Sequence, residues 1–177
     1  YWINSNIGLF AIRESGELDR YVPLHSEEIN FTESGDLIET NPYGGVRLYS
    51  DLDHFKYTHF VQEDPQTPTM VVNSLKRENK TYFLSVFSGL YVRENNRFRS
   101  YLKNGFWKEK NLRHITTLGR NLAISSAFGD VYLVSDDDSF KVLKKIPRAD
   151  SSGNSISFLM EYKGSLIIGT EKGLTLY

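Results

Sequence analysis

The chain has 177 residues, enough for one domain with a substantial buried core, and its 40% hydrophobic and 14% aromatic content excludes a disordered polymer. Its 21 basic and 22 acidic residues leave a net charge of −1, which removes the electrostatic signature of a nucleic-acid binder. Cysteine is absent, which excludes a disulfide-stapled scaffold, and no apolar run approaches the length that spans a bilayer.

The chain opens with Tyr1-Trp2-Ile3-Asn4-Ser5-Asn6-Ile7-Gly8-Leu9-Phe10: an apolar pair, a small polar turn, then Gly, Leu and an aromatic. Short β-rich runs on either side of such a turn predict a β-hairpin. Leu18–Val22 follows as an amphipathic outer strand, and Glu27–Thr32 reads as the inner strand of a second unit. Leu37–Tyr49 repeats the hairpin in a looser form, and Phe55–Val61 supplies its outer strand. Thr69–Leu75, Phe83–Tyr91 and Arg97–Leu102 give the same three parts again. So do Leu112–Leu118, Leu122–Tyr132 (with one inserted residue) and Phe140–Ile146. Ser155–Tyr162, the turn Lys163-Gly164 and the hairpin Ser165–Tyr177 close the chain. A helical reading fails throughout, because no stretch of about 12 residues keeps a 3.6 period free of Gly, Pro or turn clusters.

The hairpin glycines Gly8, Gly45, Gly89, Gly129 and Gly173 are separated by 37, 44, 40 and 44 residues. A step of that size carrying four strands is the signature of a propeller blade. The predicted fold is therefore an all-β propeller with four to five blade repeats, at about 1–23 (incomplete), 24–62, 67–103, 110–147 and 154–177 (incomplete). The chain opens on the second strand of a blade and closes on the third of another, which predicts 18 strands and a piece of a larger ring of seven or eight blades. Exposed blade faces are costly in water, so the expected partners are the remaining blades of a parent chain or a second copy, through Tyr1–Pro23 and Ser155–Tyr177. The recurring apolar positions Trp2, Ile3, Leu84, Ile124, Ile167 and Ile168 are expected in second strands, buried between blades.

The segment Leu166-Ile167-Ile168-Gly169-Thr170-Glu171-Lys172-Gly173-Leu174, preceded by Asn154-Ser155-Ile156 and Glu161-Tyr162, resembles the two-component regulator propeller repeat. Trp2–Phe10 keeps its Trp and its Gly-Leu-aromatic end, and Leu84–Tyr91 keeps Ser-Gly-Leu-Tyr; the copies at Gly45 and Gly129 are degenerate. The resemblance implies the periplasmic sensor region of a hybrid two-component system, whose parent continues into a membrane helix, a histidine kinase and a response regulator. It implies an oligosaccharide as the signal, no cofactor, and no membrane contact within this segment. The alternative is a non-catalytic scaffold propeller that binds proteins at a cell surface or in secretion.

The residues offer no catalytic set. Asp136-Asp137-Asp138 lacks the alternating ligands, glycine and distal Glu of a calcium loop and reads as a solvated turn. His54 and His59 are five apart on a strand and point to opposite faces, while His25 and His114 have no partner at ligand spacing. Ser125-Ser126 and Ser151-Ser152 lack a nucleophile-elbow context. The candidate binding residues lie in the hairpin loops and blade-to-blade loops, which open on one face: Tyr43, Phe87, Phe128, Trp107 and Arg113. Exposed aromatics there would stack on sugar rings, with Arg113 as a polar partner. Each aromatic has an alternative role, packing between adjacent blades.

Overall fold

The computed structural model describes residues 2–5, 8–22, 28–31, 37–41, 45–51, 56–60, 68, 71–86, 89–95, 97–101, 107, 111–146 and 155–177. These form five antiparallel sheets, taken in chain order. The first contains β1 (Trp2–Ser5), β2 (Gly8–Ile12) and β3 (Leu18–Val22). The second contains β4 (Glu28–Phe31), β5 (Leu37–Asn41), β6 (Gly45–Asp51) and β7 (Lys56–Phe60). The third contains β8 (Val71–Arg77), β9 (Lys80–Ser85), β10 (Gly89–Glu94) and β11 (Arg97–Ser100). The fourth contains β12 (Leu112–Leu118), β13 (Asn121–Ser126), β14 (Val131–Ser135) and β15 (Val142–Ile146). The fifth contains β16 (Ile156–Tyr162), β17 (Ser165–Thr170) and β18 (Gly173–Leu176). Every strand pairs with its sequence neighbour, so each sheet is a meander, and the all-β expectation holds. The one described residue with helical backbone is Trp107.

Strands β4, β8, β12 and β16 approach their counterparts in the neighbouring sheets and mark the inner edge of the stack. Three of them carry a register shift near their start, leaving Val72, Arg113 and Ser157 out of the pairing. A bulge at one position in successive blades adds twist and re-aims the extra side chain.

The side-chain period of two decides which neighbour each residue meets. In β9, Tyr82 and Leu84 join Leu122, Ile124, Tyr132 and Val134 of the fourth sheet in one buried cluster. Phe83, one residue away, packs the other way against Ile38 and Val46 of the second sheet. Ala123 in turn faces the fifth sheet with Leu166 and Ile168. Facing sheets thus interdigitate from both sides, and a truncation such as Leu84→Ala should cost about 2–5 kcal/mol.

Burial of the recurring apolar positions holds for Leu84, Ile124 and Ile168, is only partial for Ile167, and fails for Ile3, which is 49% exposed. Ile3 pairs with Phe10, and Phe10 with Tyr21, on the face of the first sheet opposite buried Leu9 and Ala11. No other sheet covers that face among the described residues. The Trp2 side chain lies outside the described residues.

Among the described residues one buried carboxylate interrupts the apolar pattern. Glu39 of β5 accepts hydrogen bonds from Arg47 Nη1 at 3.1 Å and Tyr49 Oη at 2.7 Å. Burial and the neighbouring Glu39 push the Tyr49 phenol above its ordinary range. A carboxylate taken out of water is tolerated when paired and hydrogen-bonded in this way.

Candidate functional site

Antiparallel meanders give the blade stack two chemically different ends. One end carries the second-to-third-strand turns, such as Ser126–Val131, together with the connections between blades. The other carries the first-to-second-strand turns, such as Arg77–Lys80, and the third-to-fourth-strand turns, such as Ser135–Val142.

At the loop end, the exposed aromatic candidate among the described residues is Phe128. Phe128 sits in the β13–β14 turn with 60% of its surface exposed. Gly129 beside it takes a φ of 77°, closing the turn with its N–H on the Ser126 carbonyl at 3.1 Å. Asn111 abuts the same turn: its carbonyl accepts from Ala127 N at 2.7 Å, and its φ is 49°. Arg113, two residues on, is half-buried at the bulge between Leu112 and His114. Phe128, Asn111 and Arg113 therefore lie toward the same end of one blade.

Trp107 corrects the expectation placed on it. It is 0% exposed, and its indole meets Tyr132 edge-on with centroids 6.1 Å apart. Its backbone lies 3.4 Å from where a Cβ on Gly89 would stand. The interior position between the third and fourth sheets leaves no ring face for a ligand to stack on. Tyr43 and Phe87 lie outside the described residues.

The turn end carries a polar cleft that sequence reasoning missed. It has a volume of about 390 Å³ and is lined by Arg77, Glu78, Lys80, Tyr82, Arg120 and Asp136. Arg77 Nη1 stands 2.9 Å from Asp136 Oδ2, and Arg77 Nη2 donates to the Gly119 carbonyl at 3.1 Å. Tyr82 donates its hydroxyl to the Asp136 carboxylate, and burial together with this bond raises the phenol pKa. Three turns from two blades build this cleft. The visible signal was the Asp136–Asp138 run one blade after a turn carrying Arg77 and Lys80, but the pairing needs the stacking register, which spacing alone does not supply.

The remaining polar residues have local structural roles. Asp137 Oδ1 accepts from the Ser139 hydroxyl, from Ser139 N at 2.8 Å and from Ser135 Oγ at 3.1 Å, which lowers its pKa and closes the β14–β15 turn. Ser125 Oγ accepts from His114 N, and Ser126 Oγ from Asp130 N, each at 3.2 Å. His114 Nε2 lies 2.9 Å from the Ile156 carbonyl and ties the fourth sheet to the fifth. His25, His54, Ser151 and Ser152 lie outside the described residues.

Five meander sheets, four of them stacked with their inner strands β4, β8, β12 and β16 together, define a β-propeller fold. Solved structures share it. BamB from Moraxella catarrhalis superposes with a TM-score of 0.67 at 12% identity, over 99% of this chain and 52% of that one. An inactive virginiamycin B lyase from Staphylococcus aureus gives 0.72 at 12%, over 98% and 60%. The extracellular domain of a hybrid two-component system from B. thetaiotaomicron gives 0.68 at 18%, over 99% of this chain and 24% of that one. The chain thus spans between a quarter and three fifths of these structures. No protein-family model matches the sequence, and no curated protein does.

Proposed function

We propose that this chain is the blade stack of an extracytoplasmic sensor propeller in a hybrid two-component receptor, and that it binds an oligosaccharide without acting on it chemically. The observation that carries this reading is the coincidence of two independent likenesses. The Gly-Leu-aromatic hairpins resemble the two-component regulator propeller repeat, and the fold resembles the extracellular domain of such a system along 99% of the chain. On this reading the parent is a membrane-anchored kinase that holds this segment in the periplasm.

On this reading the ligand meets the loop end. Phe128 is the stacking platform, Arg113 the charged donor and Asn111 the amide beside them. Ligand binding changes kinase output only by its differential affinity for two receptor arrangements. Rigid blades suit that role because packed sheets relay a displacement rather than absorb it.

The outer faces of the first and fifth sheets are the contacts for further blades or a second copy. Leu174 and Leu176 are 71% and 70% exposed there, beside exposed Met160. Isothermal titration calorimetry of the ring-complete protein against a panel of oligosaccharides tests the sensor reading. Saturable heat with one member supports it. No binding by any member favours the scaffold alternative.

A further inference from the structure

The cleft at the turn end is separate from Phe128 and Arg113, and its charges are unevenly committed. Asp136 is engaged twice, by the Arg77 guanidinium at 2.9 Å and by the Tyr82 hydroxyl. Its negative charge is therefore spent within the junction. Lys80 is only 24% exposed at its side chain, and its closest acid is Asp138 at 3.7 Å. Asp138 is itself 73% exposed and shared with Arg99 at 4.0 Å. Arg120 lines the cleft from the neighbouring blade and makes no ion pair or hydrogen bond among the described residues. Arg120 thus faces the cavity without an acid partner among the described residues, and Lys80 with only a loose one that it shares with Arg99.

A half-buried ammonium favours an anion that restores the solvation it has lost. A guanidinium adds a planar donor fork suited to carboxylate, sulfate or phosphate oxygens. The 390 Å³ volume falls in the range of small-molecule sites, which starts at about 300 Å³. Glu78, held at a φ of 54° in the β8–β9 turn, also lines the cavity. Its carboxylate offers an acceptor for a hydroxyl donor carried on the same ligand.

We propose that this cleft binds the oxyanion group of a small ligand, with Lys80 and Arg120 gripping the anion between the third and fourth blades. The site does not rest on the sensor reading and stands or falls apart from it. The test uses the 177-residue chain at fixed ionic strength, titrated separately with inorganic phosphate, sulfate and gluconate while the Arg120 and Lys80 side-chain resonances are followed by NMR. We expect one-to-one saturation with at least one probe, and the best probe names the anion. Arg120→Ala and Lys80→Gln should each weaken that binding at least tenfold, about the loss of one charged hydrogen bond, with thermal unfolding unchanged. Absence of saturation by all three probes overturns the proposal. So does equal affinity in the folded variants.

Discussion

The Arg77 guanidinium stands 2.9 Å from the Asp136 carboxylate, tying the first turn of the third blade to the outer turn of the fourth. Tyr82 reaches the same carboxylate from within the hydrophobic junction. Polar and apolar contacts therefore fix the same sheet-to-sheet register. Asp136→Ala leaves the phenol and the guanidinium without their acceptor and should cost about 1–3 kcal/mol. Tyr82→Phe, which removes one donor and keeps the ring, should cost about 1 kcal/mol. Urea denaturation measures both; equal stability of Asp136→Ala and wild type would show that the junction is held by packing alone.

Two glycines separate backbone strain from crowding. Gly89 has a φ of 88° and a Cβ there would meet the Trp107 backbone at 3.4 Å, whereas Gly16 has a φ of 85° with nothing within 4 Å. Gly16→Ala should lose about 1 kcal/mol from the left-handed backbone alone. Gly89→Ala should lose more, since Trp107 is fixed in the core. Thermal melts compare the pair, and an equal loss would mean that the Trp107 segment yields freely.

Burial lowers the His114 pKa below its ordinary 6.5, outweighing the hydrogen bond to Ile156, and the nearby Arg113 charge acts in the same direction. The unfolded chain therefore binds a proton more readily than the folded one. The full contribution to stability is present above the unfolded value and is lost as pH falls toward the folded value. Wild type should lose stability relative to His114→Gln as pH drops below about 6.5. A difference independent of pH between wild type and variant would contradict this.

The exposed outer faces predict self-association of the 177-residue chain. Sedimentation velocity should show concentration-dependent oligomers, and Leu174→Glu with Leu176→Lys should shift them toward monomer. A monodisperse wild-type monomer at high concentration would mean that these faces need no cover.

The strands were legible because their side-chain period and turn residues are local signals. Leu18–Val22 was expected and found as β3, and Ser155–Tyr162 became Ile156–Tyr162. Thr69–Leu75 shifted to Val71–Arg77, because the turn falls at Glu78, a non-glycine residue holding positive φ. What a side chain faces was less legible. Ile3 and Ile124 read alike in sequence, yet only Ile124 has a neighbouring sheet over it. Trp107 sits in a polar stretch, which suggests exposure, but its ring turns inward onto Tyr132. The Arg77–Asp136 pair joins residues of different blades, so no local pattern announces it.

Removal of one exposed ring tests the central claim most directly. Phe128→Ala in the ring-complete protein leaves the core untouched, whereas Trp107→Ala would delete a buried indole at about 3–5 kcal/mol and confuse binding with folding. The measurement is calorimetric titration of wild type and Phe128→Ala with the best-bound oligosaccharide. We expect saturable binding by wild type and at least tenfold weaker binding by the variant, as for the loss of one stacking ring worth about 1.4 kcal/mol or more, with unchanged thermal unfolding. Equal affinity in a folded Phe128→Ala protein would contradict a sugar site at the loop end of this blade stack.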